Sequence, residues 1–135
     1  MYTMKDICEL TGLSYETLRF YCNEGLVPNV GRDKNNYRVF SERDLNGIRG
    51  LLCLKKCDMS IRDMKHYLDL CLEGESSIPE RKKMLAEQRA VLQQRMQEIQ
   101  ESIDFIDNKQ KFYDDVLNGN TPYVSNLIVV RPKEK

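Results

Sequence analysis

The sequence predicts a mostly α-helical chain: a head of four short helices with a small β wing between the second and third, then a long C-terminal helix that dimerises as an antiparallel coiled coil. Three observations predict it. Apolar residues recur at helical spacing behind Thr3, Ser14, Ser41 and Ser60, side chains suited to cap helix N-termini. The stretch Asn29 to Asn36 is rich in Gly, Asn and charge, and the β-favouring run Tyr37-Arg38-Val39-Phe40 follows it. From Pro79 to about Leu117 there is neither Gly nor Pro, and apolar residues repeat every seven positions.

The first helix carries Met4, Ile7, Cys8 and Leu10 behind Thr3, with Asp6 as a weak echo of a capping box. Gly12 is able to take the positive φ that ends it, and Ser14 opens a second helix with Leu18 and Tyr21 or Cys22 inward. Gly25 to Pro28 stops that helix. Ser41 and Asp44 then form a further capping signature, after which Leu45, Ile48, Leu51, Leu52 and Lys55 mark one face of a third helix ending near Asp58. Ser60 caps a fourth, through Ile61, Met64, Tyr67, Leu68 and Leu72, and Gly74 closes it.

In the long helix Leu85, Leu92, Ile99, Ile106 and Tyr113 fall seven apart, while Met96, Ile103 and Leu117 fall four after such positions. Arg89 and Gln110 interrupt the second seam position. The stripe could pack on the head of the same chain, but a helix of about 39 residues at ~1.5 Å rise spans roughly 58 Å. A head of about 75 residues has a radius of gyration of only ~11 Å. A homodimer is therefore expected, with residues 1–75 as head, 76–117 as dimerisation helix and 118–135 as a tail of unassigned role.

A chain of 135 residues that spends so many on one helix has room for a small core only, which oligomerisation would supplement. No apolar stretch is long enough to span a membrane and no signal-peptide pattern opens the chain, so a cytoplasmic protein without membrane attachment is expected. The five cysteines are an odd set without CxxC spacing, which in a reducing compartment reads as free thiols. Lys plus Arg and Asp plus Glu both number 21, so global charge does not point to nucleic acid. Locally, from Arg19 to Lys65, ten basic residues face six acidic ones.

Helix, Gly-containing turn, second helix and hairpin together make a winged helix-turn-helix, the plan that offers a second helix to the major groove and a wing to the phosphates beside it. The residues sharpen the pattern. Ser14-Tyr15-Glu16-Thr17-Leu18-Arg19-Phe20-Tyr21, followed by Glu24-Gly25-Leu26-Val27-Pro28, closely resembles the signature of the MerR family, and Asn36-Tyr37-Arg38-Val39-Phe40 resembles its wing. With the later helices in order, the resemblance covers roughly residues 2 to 117. It implies a homodimer on double-stranded promoter DNA that untwists an overlong spacer so that RNA polymerase engages both elements, a use of DNA deformability more than of base contacts. It also implies that Tyr15 and Thr17 face base edges or nearby phosphates, that Arg19 and Tyr21 anchor the backbone, and that Tyr37 and Arg38 grip phosphates. Tyr21 has a rival role in the core. Asp58 stands where the resemblance leads one to expect glycine.

No large ligand-binding domain is expected after the coiled coil, and from Ser76 onward there is neither Cys nor His, which removes the soft ligands of a thiophilic metal sensor. No metal or cofactor is expected, although a hard-cation site of carboxylates stays open. Leu51 to Lys56 followed by Met59-Ser60-Ile61 looks like the subgroup that senses aldehydes, nitrosothiols or related electrophiles, and Cys53 matches its cysteine position. A thiolate is the nucleophile in such chemistry, and Lys56 and Cys57 share a helical face with Cys53. The opposing reading makes Cys53 a small buried hydrophobe. An enzyme is not expected, since no phosphate-binding Gly loop, nucleophile elbow or metal-ligand motif is present. A non-covalent ligand sensor, or a coiled-coil adaptor without DNA binding, remains the alternative.

Overall fold

A computed structural model describes residues 1–131. Its elements are α1 (Met4–Thr11), α2 (Tyr15–Asn23), β1 (Gly31–Arg32), β2 (Arg38–Val39), α3 (Glu42–Lys56), α4 (Ile61–Glu73), a 3₁₀ turn (Glu75–Ser77) and α5 (Ile78–Leu117). They divide into two compact units, Met1–Leu92 and Gln93–Lys135.

In the first unit the caps form as the residues dictate. Thr3 Oγ1 accepts from the Asp6 N–H at 3.1 Å and Asp6 Oδ2 accepts from the Thr3 N–H at 2.9 Å, a full capping box where only a weak echo is expected. The Thr3 N–H holds the Asp6 carboxyl below the ordinary carboxylate range. Ser41 and Asp44 repeat the arrangement at the start of α3, at 3.1 and 2.8 Å. One core joins Ile7 of α1, Leu18 and Tyr21 of α2, Phe40, Leu45 and Ile48 of α3 and Met64 of α4, all buried.

The wing is shorter than the run Tyr37 to Phe40 led us to expect. Only Arg38 and Val39 pair with β1, Arg32 opposite Arg38 and Gly31 opposite Val39. Phe40 is fully buried and pairs instead with Tyr2, through N–H···O bonds of 2.7 and 2.8 Å. The buried ring draws the strand off the ribbon and into the core, and the N-terminus supplies the missing ladder partner. The Tyr2 hydroxyl donates to Glu42 Oε2 at 2.6 Å, which raises its pKa.

Helix α3 closes in a turn at Asp58, the position where glycine is expected. The Met59 N–H reaches the Leu54 carbonyl (3.2 Å) and the Asp58 N–H reaches the Lys55 carbonyl (2.9 Å), the paired bonds of a Schellman motif. Asp58 sits at φ 61°, in the left-handed region. The turn forms all the same, with aspartate where glycine is the usual occupant.

Between α4 and α5 the chain makes an elbow that the sequence did not disclose. The buried Ser77 hydroxyl donates to the Leu70 carbonyl, and it accepts from Arg81 Nε at 2.9 Å. Arg81 Nη2 also donates to the Gly74 carbonyl at 2.8 Å. Gln88 Nε2 donates to the Cys57 carbonyl at 2.7 Å, tying the start of α5 to the end of α3. His66 and Glu80 approach to 3.6 Å, an exposed pair of little energetic weight.

In the second unit α5 ends in another Schellman pair, Asn120 N–H to Asp115 O and Gly119 N–H to Val116 O, with Gly119 at φ 77°. The tail then brings Tyr123 to 6.5 Å from the Phe112 ring. No residue of α5 is buried. Its seam positions stand open, Met96, Ile99 and Ile106 at 68%, 61% and 57% exposure. Among the described residues no helix is long and apolar enough to cross a membrane.

A β-branched residue tolerates the left-handed region poorly, so Asp58→Val is expected to lower unfolding free energy by about 1–2 kcal/mol, read from the urea midpoint. Asp58→Asn should stay within about 0.5 kcal/mol of wild type, because Asn accepts that conformation.

Candidate nucleic-acid interface

Helix α2 is placed by Ser14, whose Oγ accepts from the Thr17 N–H at 3.1 Å and donates to Thr17 Oγ1 at 2.9 Å. Leu18 and Tyr21, three residues apart, turn into the core. Tyr15 and Arg19, four apart, therefore share the outward side, and both are exposed. Thr17 is half-buried and engaged with its own cap.

The wing turn is built by Asp33, whose Oδ1 accepts from the N–H groups of Asn35 (2.8 Å) and Tyr37 (3.0 Å). Asn36 takes φ 65° at its tip. Tyr37 projects to solvent at 71% exposure, whereas Arg38 is half-buried and its Nη2 donates to Asn23 Oδ1 at 2.7 Å. That bond fastens the wing to the last residue of α2. Nothing in the local sequence marks Asn23 for this duty, since the two residues lie 15 apart.

Of the six residues read from the sequence, Tyr15, Tyr37 and Arg38 come together on one cleft of about 430 Å³, between the first turns of α1 and α2 and the wing. Thr17 and Arg19 lie on α2 outside its lining. Tyr21 is only 2% exposed, and among the described residues its buried hydroxyl has no hydrogen-bond partner. Its place is in the core, which was the rival reading of this residue.

Cys53 is exposed on α3, flanked by the exposed Lys55 and Lys56. It is therefore not the buried hydrophobe of the opposing reading. Cys57 is half-buried and caps α3 through its backbone. Burial pushes the Cys8 thiol up. It does the same at Cys22, where Arg38 and Arg32 pull in the opposite direction.

This arrangement defines a winged helix-turn-helix regulator: a capped second helix with polar side chains outward, locked to a two-stranded wing that carries arginine and tyrosine. Comparison with known proteins gives the same class. The description "MerR HTH family regulatory protein" matches residues 2–71, and "MerR, DNA binding" matches residues 47–108. A Haemophilus influenzae HTH-type transcriptional regulator, described as uncharacterized, is 37% identical over 112 residues, 83% of each chain. Among solved structures, HiNmlR, a MerR family regulator lacking the sensor domain and bound to promoter DNA, is similar with a TM-score of 0.72 at 35% identity. That match covers 87% of this chain and 93% of the other. A MerR family regulator from Bacillus thuringiensis gives 0.69 at 30% identity, covering 83% and 98%. The chain belongs to the MerR family of helix-turn-helix regulatory proteins.

A buried hydroxyl without a partner costs free energy that its removal recovers. Tyr21→Phe should therefore leave the protein as stable as wild type, or more stable by up to about 1 kcal/mol, in a urea titration.

Proposed function

We propose that this protein is a cytoplasmic, homodimeric regulator of transcription that grips and distorts double-stranded promoter DNA for RNA polymerase. The observation that carries the reading is the convergence of Tyr15, Tyr37 and Arg38 on one cleft beside the exposed side of α2. In this reading residues 1–75 are the DNA-reading head, 76–117 the antiparallel coiled-coil dimerisation helix and 118–135 a tail. Tyr15 and Thr17 meet base edges or adjoining phosphates, and Arg19 anchors the backbone with its planar fork. Tyr37 and Arg38 grip phosphates from the wing, and Tyr21 supports that surface from behind.

The dimer follows from the apolar seam of α5. A row of exposed Met, Ile and Leu at coiled-coil spacing is stable in water when a second helix covers it. A two-fold dimer sets two heads against two half-sites, so deformation of the DNA between them becomes the regulated quantity.

The signal is taken up by Cys53 as an electrophile-sensing thiol, with Lys56 and Cys57 as modulators. Its exposure supports this, and so does the similarity to HiNmlR, a regulator that lacks a sensor domain. In this reading the signal acts on the third helix of the head, where Cys53 lies. An aldehyde or nitrosothiol would modify the Cys53 thiolate directly.

Ile99→Asp combined with Ile106→Asp should halve the mass measured by light scattering and abolish tight binding to a promoter duplex. The wild-type dimer should bind that duplex with an affinity falling steeply as salt rises. A variant that stays dimeric would overturn the seam assignment, and a wild type indifferent to DNA would overturn the function. Cys53→Ser should bind the duplex as wild type does but lose transcriptional activation by formaldehyde, methylglyoxal or a nitrosothiol. A retained response would remove Cys53 as the sensor and favour a non-covalent ligand.

A further inference from the structure

The apolar tail after α5 and a cleft at the start of α5 match each other in chemistry. In the tail, Leu127 and Val129 stand two residues apart at 93% and 91% exposure. That spacing puts them on one side of an extended segment, and Arg131 follows with the same parity. Apolar side chains so bare in water mark a surface that a partner covers. From Leu127 onward the sequence carries Arg131, Lys133 and Lys135 against Glu134. Upstream, the chain folds back so that the Tyr123 ring lies 6.5 Å from that of Phe112.

The cleft, of about 370 Å³, lies in the first unit between α4 and the first turns of α5. Met59, Met84 and Val91 line it with apolar surface, and Asp63, Glu80 and Glu87 stand on its rim against Lys83. The three carboxylates are exposed, and His66 approaches Glu80 at 3.6 Å. The rim is thus acidic where the tail is basic, and its floor is apolar where the tail is apolar.

The seam of the coiled coil decides which cleft a tail can reach. Setting Leu85 against the partner's Leu117 in an antiparallel pair also sets Leu92 on Gln110, Ile99 on Ile103 and Arg89 on Tyr113, so every seam position is matched. A slip of one heptad leaves positions at the ends unmatched. In this register the end of one α5 lies level with the other copy's cleft, whose α5 residues run from 80 to 91. A two-fold axis normal to the pair keeps each helix edge on its own side of the seam. Phe112 beneath the tail, and Met84 and Val91 of the cleft, fall at multiples of seven along α5 and so share an edge. The tail of one copy therefore leaves on the side of the other copy's cleft. The roughly ten residues from Leu117 to Leu127 can span up to ~33 Å, and packed helix axes are only ~10 Å apart.

We propose that residues 127–131 of each copy dock in the cleft between α4 and α5 of the other, with Leu127 and Val129 against Met84 and Val91, and Arg131 toward Glu80 and Glu87. The inference rests on the antiparallel dimer read above and adds a second, reciprocal contact to its seam. The docked tail also reaches the end of the helix that carries Cys53. Met59 follows the turn that closes α3, and Gln88 of the same cleft donates to the Cys57 carbonyl at 2.7 Å. The tail of one copy thus braces the sensing helix of the other.

The test uses the full chain. Dimer dissociation is followed by sedimentation on dilution. In parallel, unlabelled and isotope-labelled protein, mixed by unfolding and refolding, is coupled with a zero-length carbodiimide reagent and mapped by peptide mass. Leu127→Asp combined with Val129→Asp should raise the dimer dissociation constant about tenfold or more. Glu87→Lys and Arg131→Glu should each raise it about fivefold, and the two together should return it to within about twofold of wild type. Coupled peptides should join Lys133 or Lys135 to Glu80 or Glu87 in mixed-isotope pairs, which only a contact between copies yields. Pairs of a single isotope alone would place the tail on its own chain and overturn the proposal. Tail variants that dissociate as wild type does, while Ile99→Asp with Ile106→Asp still splits the dimer, would overturn the docking and leave the seam standing. A double charge reversal no better than its single variants would also overturn it. A wild type that is itself monomeric would overturn the seam, and the docking with it.

Discussion

The burial of Phe40 is the constraint on which the DNA-facing surface depends. Side chains along a strand alternate between faces, so a ring fixed in the core at position 40 also fixes where positions 38 and 39 point. Arg38 shares the parity of Phe40 and is drawn toward α2, where Asn23 receives it at 2.7 Å. Tyr37 has the opposite parity and stands in solvent. The bridge from Tyr2 to Phe40 satisfies the strand backbone at the point where the ribbon ends, and Tyr2 thus stabilises the wing. A slip of one residue would exchange the two faces, bury a tyrosine hydroxyl and leave the arginine without its amide partner.

The rest of the molecule is organised by a shortage of core. Residues of α1 to α4 bury one compact apolar cluster, and α5 buries nothing. A 40-residue helix with apolar side chains at coiled-coil spacing is an unfinished structure by itself. The elbow at Gly74 to Arg81 fixes how that helix leaves α4. Ser77 and Arg81 direct their polar groups to the carbonyls of Leu70 and Gly74, which the end of α4 leaves without helical partners.

Most of this was legible in the sequence because it is written in local chemistry. Thr3, Ser14, Ser41 and Ser60 each begin a helix by the capping bond their side chains make, and Gly12, Gly74 and Gly119 end segments at positive φ. The heptads of α5 and the outward placement of Tyr15 and Arg19 follow from helical spacing alone. What escaped depends on contacts between distant residues. The Tyr2–Phe40 bridge, the Arg38–Asn23 bond and the pairing of Arg32 with Arg38 have no sequence signature short of knowing the register. Tyr21 shows the ambiguity inside a motif: spacing puts it inward, the signature puts it at the interface, and the packing decides for the core. Cys53 was obscured by leucines on both sides, which share its neighbourhood in sequence but not its side of the helix.

The placement of the tyrosines has an optical consequence. The chain has seven tyrosines and no tryptophan, so its near-ultraviolet emission comes from phenol rings alone. Tyr15 and Tyr37 stand at the mouth of the cleft in contact with water, while Tyr21 is sealed in a dry interior. A ligand entering the cleft is expected to change the emission of these two rings against the background of the other five, so occupancy of this surface can be followed without any attached dye.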